Sequence, residues 1–277
     1  MPTSFRDLHL RGTPFILANA WDAGSAKLLA ALGAPAIATS SAAHAFTLGR
    51  PDMGHVTRDE ALSHAQDLIA AVHVPVSGDF ENGFGDAPET CAQTVRLAAE
   101  IGLAGISIED LAPPDAAPYP FDLAVERMRA AAAAARALGR DFVLVARADG
   151  VMAGQYDLDE ALRRLAAYEA AGADCLYVPM PASPKDLARI CASTRLPVNA
   201  LAAGPFARLS RAEFARLGVA RISIGSALAR VTHRAVIEAG QAMFGAGDFT
   251  PLSRAAPGAQ VDALLAAATE PEHSDEP

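Results

Sequence analysis

Eight times in succession, this chain of 277 residues follows a short apolar or β-branched run with a segment of helical length rich in Ala, Leu and Arg. The runs fall at 14–19, 36–39, 74–78, 105–109, 142–147, 175–178, 197–201 and 221–224. The helical segments fall at 22–32, 58–72, 88–101, 123–138, 158–171, 184–193, 208–217 and 226–243. Asp22 reads as an N-cap and Gly33 and Gly102 as stops. Strands separated by helices pair in parallel, because a parallel neighbour requires a crossover. Eight such units close into a (β/α)8 TIM-type barrel and leave no edge. A doubly wound sheet would use fewer strands, and no G-x-G-x-x-G turn follows the first run. The expected organisation is one barrel domain over 1–250 and a C-terminal extension over 251–277. One short helix is expected near 250–265 and a disordered acidic end over 270–277.

Composition narrows the partners. The formal charge is −9 with no basic cluster, the wrong sign for a nucleic-acid groove. No apolar run approaches the ~18 residues of a membrane span, and the first eleven residues are polar and charged. Three cysteines without a C-x-x-C pair point to free thiols in a reducing compartment, so the expected location is cytoplasmic.

In a barrel the chemistry sits at the C-terminal ends of the strands. Those ends read Asn19-Ala-Trp21-Asp22, Thr39-Ser40-Ser41, Asp79-Phe80-Glu81-Asn82-Gly83, Glu109-Asp110, Arg147-Ala148-Asp149 and Asn199. Any one of them is as readily a cap or turn residue; it is their convergence that points to a site. Asp79 and Glu81 are two apart, so in extended chain they face the same way, with Glu109 beside them. Crowded carboxylates repel one another and call for a cation. Hard oxygen donors without His or Cys suit Mg²⁺ or Mn²⁺. The competing reading is a salt-bridged barrel interior in which Arg147 satisfies the acids. Arg147 otherwise suits a substrate carboxylate or phosphate. Ser40 and Ser41 offer hydroxyls and N–H groups to another anionic group, and Gly225-Ser226 a weaker phosphate site. His44 and His55 are candidate acids or bases in the long second loop, whereas His64 and His73 read as structural. Lys27 and Lys185 both lie away from strand ends, which argues against a Schiff-base aldolase.

These same stretches, with Pro51-Asp52, Gly78-Asp79-Phe80-Glu81-Asn82-Gly83-Phe84-Gly85 and Ser107-Ile108-Glu109-Asp110, resemble the isocitrate lyase/phosphoenolpyruvate mutase superfamily over about residues 19–226. The resemblance implies a Mg²⁺ site and small α-oxo or α-hydroxy acid or enolpyruvate substrates. It makes Asp79 the main metal ligand, with Asp52, Glu81 and Glu109 completing the acidic shell. It assigns the substrate to Trp21, Ser40, Ser41, Ala42, Arg147 and Asn199, and catalytic roles to Asp52, Glu109 and Arg147. It also implies a homo-oligomer, dimer or tetramer, in which the last barrel helix swaps between copies. Two departures stand out. Glu81 replaces the family's usual Asp. The loop over 111–121 lacks the Lys/Cys run of the lyases and the Lys and Asn-Ser of the mutases.

Together these readings lead to a Mg²⁺-dependent lyase acting on a small α-oxo or α-hydroxy dicarboxylate through a metal-stabilised enolate. Decarboxylation of an oxaloacetate-like acid is the simplest form, because CO₂ leaves without an acid on the leaving group. The alternatives are a hydrolase of an acyl-pyruvate or phosphono acid and a non-catalytic α-oxo-acid binder on the same scaffold.

Overall fold

The computed structural model describes residues 4–267. Eight parallel strands close a barrel, and the elements follow one another in the expected alternation. In chain order they are β1 (Phe15–Asn19), α1 (Ala23–Ala31), β2 (Ile37–Ala38), α2 (Ser41–Thr47), α3 (Arg58–Ala71), β3 (Val76–Asp79), α4 (Pro88–Glu100) and β4 (Gly105–Ile108). A small antiparallel hairpin, β5 (Leu111–Ala112) and β6 (Ala117–Pro118), precedes α5 (Phe121–Arg136). Then come β7 (Val143–Arg147), α6 (Leu158–Ala171), β8 (Cys175–Tyr177), α7 (Pro184–Ala192), β9 (Val198–Leu201), α8 (Arg211–Arg216), β10 (Arg221–Ser223), α9 (Ala227–Ala246) and α10 (Gly258–Ala267). Around the barrel the order is β1-β10-β9-β8-β7-β4-β3-β2, so first and last strands meet, Phe15 beside Arg221.

Local chemistry sets the boundaries. Asp22 caps α1, accepting from the Ser25 N–H at 2.6 Å while the Ser25 hydroxyl accepts from the Asp22 N–H. Thr57 and Glu60 form the same reciprocal box on α3, as do Ser210 and Glu213 on α8. Gly172 ends α6 in the left-handed region at φ 104°, where a side chain would be strained. Two elements depart from the sequence reading. The loop after β2 contains α2, capped by Ser40, and the loop after β4 folds into the hairpin.

Two apolar layers result. The larger lies between strands and helices, where α4 and α5 pack closely through buried alanines such as Ala98, Ala99, Ala131 and Ala135. The smaller fills the barrel floor with Phe5, Phe15, Leu17, Val143, Val145 and Cys175. The N-terminal turn over Arg6–Leu8 brings Phe5 and His9 edge-on to Phe15, at 6.1 and 5.0 Å between ring centroids. Polar groups are thereby left to the opposite, C-terminal mouth.

The outer helical ring has one irregularity. Of the 20 residues of α9 only Ala229 is buried, while Val231, Val236, Ile237 and Phe244 stand exposed, Phe244 at 89%. Ile16, which points outward from β1, is also exposed. The region after α9 forms a 3-10 turn over Thr250–Arg254 and then α10, which packs against α1. The acidic end over 270–277 lies outside the described residues.

Candidate active site

The mouth of the barrel holds a cavity of about 170 Å³. That is well under the roughly 300–1,000 Å³ typical of drug-sized ligand sites, room for a compact molecule only. Asp52, Asp79, Glu81, Glu109 and Arg147 all border it, as do Ser40, Ser41 and Ala42.

Asp79 ends β3 and is the hub. One carboxylate oxygen accepts from the Ser41 N–H at 3.0 Å and the Ser41 hydroxyl at 2.9 Å. The other accepts from Arg147 Nη1 at 2.8 Å and the Ser107 hydroxyl at 3.2 Å. The Asp79 N–H donates to the Thr39 hydroxyl, tying β3 to the end of β2. Ser41 therefore faces the acid, and Ser40 caps α2 by accepting from the Ala43 N–H.

Glu81 reaches the cavity by another route than strand parity. The strand stops at Asp79, and Glu81 sits at φ 43°, a strained conformation for a non-glycine residue. Its carboxylate accepts from the Gly54 N–H at 3.2 Å. Burial, with the charges of Asp79 and Asp52, pushes its pKa up to about 7. Gly83 follows in the left-handed region at φ 82°, and a Cβ there would stand 3.1 Å from Cys91 Sγ. Glu109 is fixed by its N–H donating to the Glu81 carbonyl at 2.7 Å. Burial raises its pKa well above the usual carboxylate range, against the opposing pull of Arg147.

Arg147 ends β7 among acids. Nη1 reaches Asp79 at 2.8 Å and Glu109 at 2.9 Å, while Nε and Nη2 clasp Asp149 at 3.1 and 2.6 Å. Three of the five N–H groups of a guanidinium thus donate hydrogen bonds to Asp79 and Asp149, and Glu109 adds an ion pair to Nη1. Burial works against its charge, but Asp149, Glu109 and Asp79 outweigh it and hold its pKa well above normal. Its contacts are those of the salt-bridged interior, and it also borders the cavity. Asp149 is itself buried, and its N–H donates to Asp110. Asp110 is held in turn by Tyr156, Tyr168 and Arg164.

Other expected site residues lie elsewhere. Trp21 does not border the cavity; its carbonyl is bonded to His64 Nε2 at 2.9 Å. Asn199 is fully buried below the cavity, where Nδ2 donates to the Ser223 hydroxyl and Oδ1 accepts from Arg221 Nε. His44 lies in α2, buried and stacked on His64 at 3.8 Å between ring centroids, behind the Ser40–Ser41 segment rather than on the cavity. His55 is exposed. Gly225 and Ser226 do border the cavity, but the Gly225 N–H is taken by Asn19 Oδ1.

The hairpin contributes Leu111 and Pro113 as apolar wall. Tyr119 is turned inward, donating to Asp86 at 2.6 Å and accepting from Asn82 Nδ2 at 2.7 Å. The loop brings no ionisable group to the cavity. Among lining residues with polar side chains, Ser77, Tyr177, Arg221 and Ser223 escaped the sequence reading. Period-2 alternation would have found Arg221, since it shares a face with Ser223 and Gly225.

The donor set suits a hard divalent cation, because the carboxylates crowd one another and Glu81 takes up a proton more readily as a result. As they stand, no three acids among the described residues surround a single point. Mg²⁺ commonly takes one or two carboxylates and fills its octahedron with water and substrate oxygens.

Comparison with known proteins agrees with the geometry. A family model described as phosphoenolpyruvate phosphomutase matches residues 5–244. A solved structure of a candidate lyase/mutase from Burkholderia cenocepacia is 46% identical, superposes with a TM-score of 0.90, and is matched over 95% of this chain and 94% of that one. An uncharacterized protein of Mycobacterium tuberculosis is 35% identical over 95% of this chain and 96% of its own. An oxaloacetate decarboxylase from Chromohalobacter salexigens is 30% identical over 80% of this chain and 78% of its own. With this barrel, this acid cluster and these matches, the chain belongs to the phosphoenolpyruvate mutase/isocitrate lyase superfamily.

Proposed function

We propose that the protein is a carbon–carbon lyase of small α-oxo or α-hydroxy dicarboxylates, with decarboxylation of an oxaloacetate-like acid as its simplest reaction. The observation that carries this reading is the convergence of Asp52, Asp79, Glu81, Glu109 and Arg147 on one small cavity. The hairpin that walls it supplies no acid, and loss of CO₂ is the cleavage that needs none. The named activity of the C. salexigens relative points the same way.

Asp79 and Glu81, with Glu109 behind them, are the residues that would hold Mg²⁺ or Mn²⁺. When bound, the cation supplies positive charge opposite the substrate's oxo oxygen. The chain does the rest. Ser41 fixes the Asp79 carboxylate, and Asp149 fixes Arg147 at the edge of the cavity, where it would meet a substrate carboxylate. Leu111, Pro113, Met152 and Pro179 keep water from the rim. As the C–C bond breaks, its electron pair passes to the α-oxo carbon framework, CO₂ departs, and solvent returns the proton to the product carbon.

We also infer that the protein works as a homo-oligomer. The uncovered apolar residues of α9 and the open outer face of Ile16 are complementary gaps in the helical ring.

The test is turnover of an oxo-acid panel with Mn²⁺, each acid corrected for its metal-catalysed background and measured beside Asp79→Ala. Wild-type CO₂ release above the Asp79→Ala rate is expected for oxaloacetate. Binding of the acids with no turnover in either protein would make this a binder. Absence of binding would sink the reading altogether.

A further inference from the structure

Arg221 stands apart from every other charged group of the cavity. It is the first residue of β10, points inward and borders the cavity, yet is only 4% exposed. Nε donates to Asn199 Oδ1 at 2.9 Å, and Nη1 is buried without a hydrogen-bond partner among the described residues. Among the described residues no carboxylate pairs with it, whereas three pair with Arg147. The two charges that act on it, Arg147 and Asp79, oppose one another, and its other neighbours are neutral. Burial holds the Cys175 thiol and the Tyr177 phenol above their usual pKa values, and Asn199 and Ser223 carry no charge.

A buried guanidinium stays protonated and carries five donors. Leaving it without an anion costs several kcal/mol, and native interiors rarely leave such donors unused. The side chain is nonetheless held in place, because Asn199 grips Nε and is itself gripped by Ser223. The arrangement is that of a cation positioned for an anion that arrives from outside.

We propose that Arg221 selects substrates with two carboxylates. Its guanidinium receives the carboxylate remote from the Asp79–Glu81 acids, so that the substrate spans the cavity from the acid shell to the barrel floor. This rests on the cavity being a site for the small dicarboxylates proposed above, and adds the residue that selects them.

The experiment compares racemic malate with racemic lactate, which differ in the distal carboxylate, by calorimetry with Mn²⁺ present. Wild type should bind malate more tightly than lactate. A hydrogen bond to a charged group is worth about 1.5–3 kcal/mol, so Arg221→Met should weaken malate about 10–100-fold, to the lactate level. Lactate should move by less than about 3-fold, and Arg221→Lys should restore part of the difference. If Arg221→Met does not fold, Arg221→Lys decides: it must weaken malate more than lactate. Equal losses for both acids would mean that Arg221 only supports the barrel. No loss for either would mean that its partner is water. Wild type binding both acids equally would overturn the selection alone, whereas binding neither would overturn the functional reading beneath it.

Discussion

Replacing Arg147 with methionine should destabilise the protein strongly at neutral pH and much less in acid. Methionine keeps the length of the stem and removes the charged fork. The wild-type fork joins side chains with little exposure: 11% for Arg147 and Glu109, 17% for Asp79 and 1% for Asp149. Removing one partner of a buried pair costs about 3–5 kcal/mol, because the other is left charged and desolvated. In a chain of this size a kcal/mol moves the melting temperature by roughly 2–4 °C, so the expected drop is roughly 6–20 °C at about pH 7.5. The sign with pH follows from the acids. Burial already raises the folded-state pKa values of Glu109 and Asp149 against the pull of Arg147, so without Arg147 they lie further above those of the unfolded chain. The native state then binds protons more readily, and stability falls as pH rises through that window. The deficit should therefore shrink at about pH 5, and Mn²⁺ should recover part of it at about pH 7.5. Thermal melts at fixed protein concentration measure both. A melting temperature within about 2 °C of wild type, or an equal loss at the two pH values, would refute the picture of one cation holding three acids.

Asp79→Ala should abolish Mn²⁺ binding, read by calorimetry, while leaving the far-ultraviolet spectrum unchanged; unaltered binding would show that the acid cluster has been misread. Burial and the stacked His64 pull the pKa of His44 from 6.5 down to about 4, so stability is fully present above 6.5 and drains as pH falls toward 4. On the order of 3 kcal/mol is at stake, and a His44→Leu variant that folds should show a flatter loss over that range in melts. Isocitrate and methylisocitrate should be cleaved about 10²–10⁴-fold more slowly than a lyase with a loop acid cleaves them, since the 111–121 segment brings no proton donor. Brisk cleavage would reveal a donor elsewhere. The full chain should elute as a dimer or tetramer, and Val236→Glu with Phe244→Glu should shift it toward monomer; a wild-type monomer would leave the exposed face of α9 unexplained.

The barrel was legible because each unit carries its own periodicity and punctuation. Asp22 capped α1 as read, and Gly33 and Gly102 both adopt the left-handed conformation expected of stops. The acid cluster was legible for a similar reason: strand ends converge on one mouth wherever the loops go. What escaped depends on conformation beyond a strand's last residue. Asp79 and Glu81 do meet at the cavity, but through a left-handed turn that parity does not describe. The seven residues of α2 were too short to show a period, so Ser40 read only as a ligand group, whereas its hydroxyl also caps that helix. Trp21 and Asn199 were read from strand ends and from the resemblance, both of which carry residue identity and not side-chain direction. Arg221 was passed over because only the last residues of strands were searched. A long side chain starting near the floor of a barrel still climbs to the cavity.

Closing the barrel between its first and last strands also sets a clock for biosynthesis. Phe15 pairs with Arg221, and the Asn19 carboxamide is completed only by the N–H groups of Ile224 and Gly225. A ribosome adding about 5–20 residues per second needs roughly 10–40 s to travel from one to the other. Throughout that interval β1 presents an unsatisfied backbone edge to whatever surrounds the nascent chain, and an open edge is a template for pairing with other strands. The closing step cannot be hastened by stabilising local helices, since its partner has not yet been made. For this chain, the yield of folded protein should therefore respond to translation speed and to chaperones that shield strand edges more than to the stability of the finished barrel.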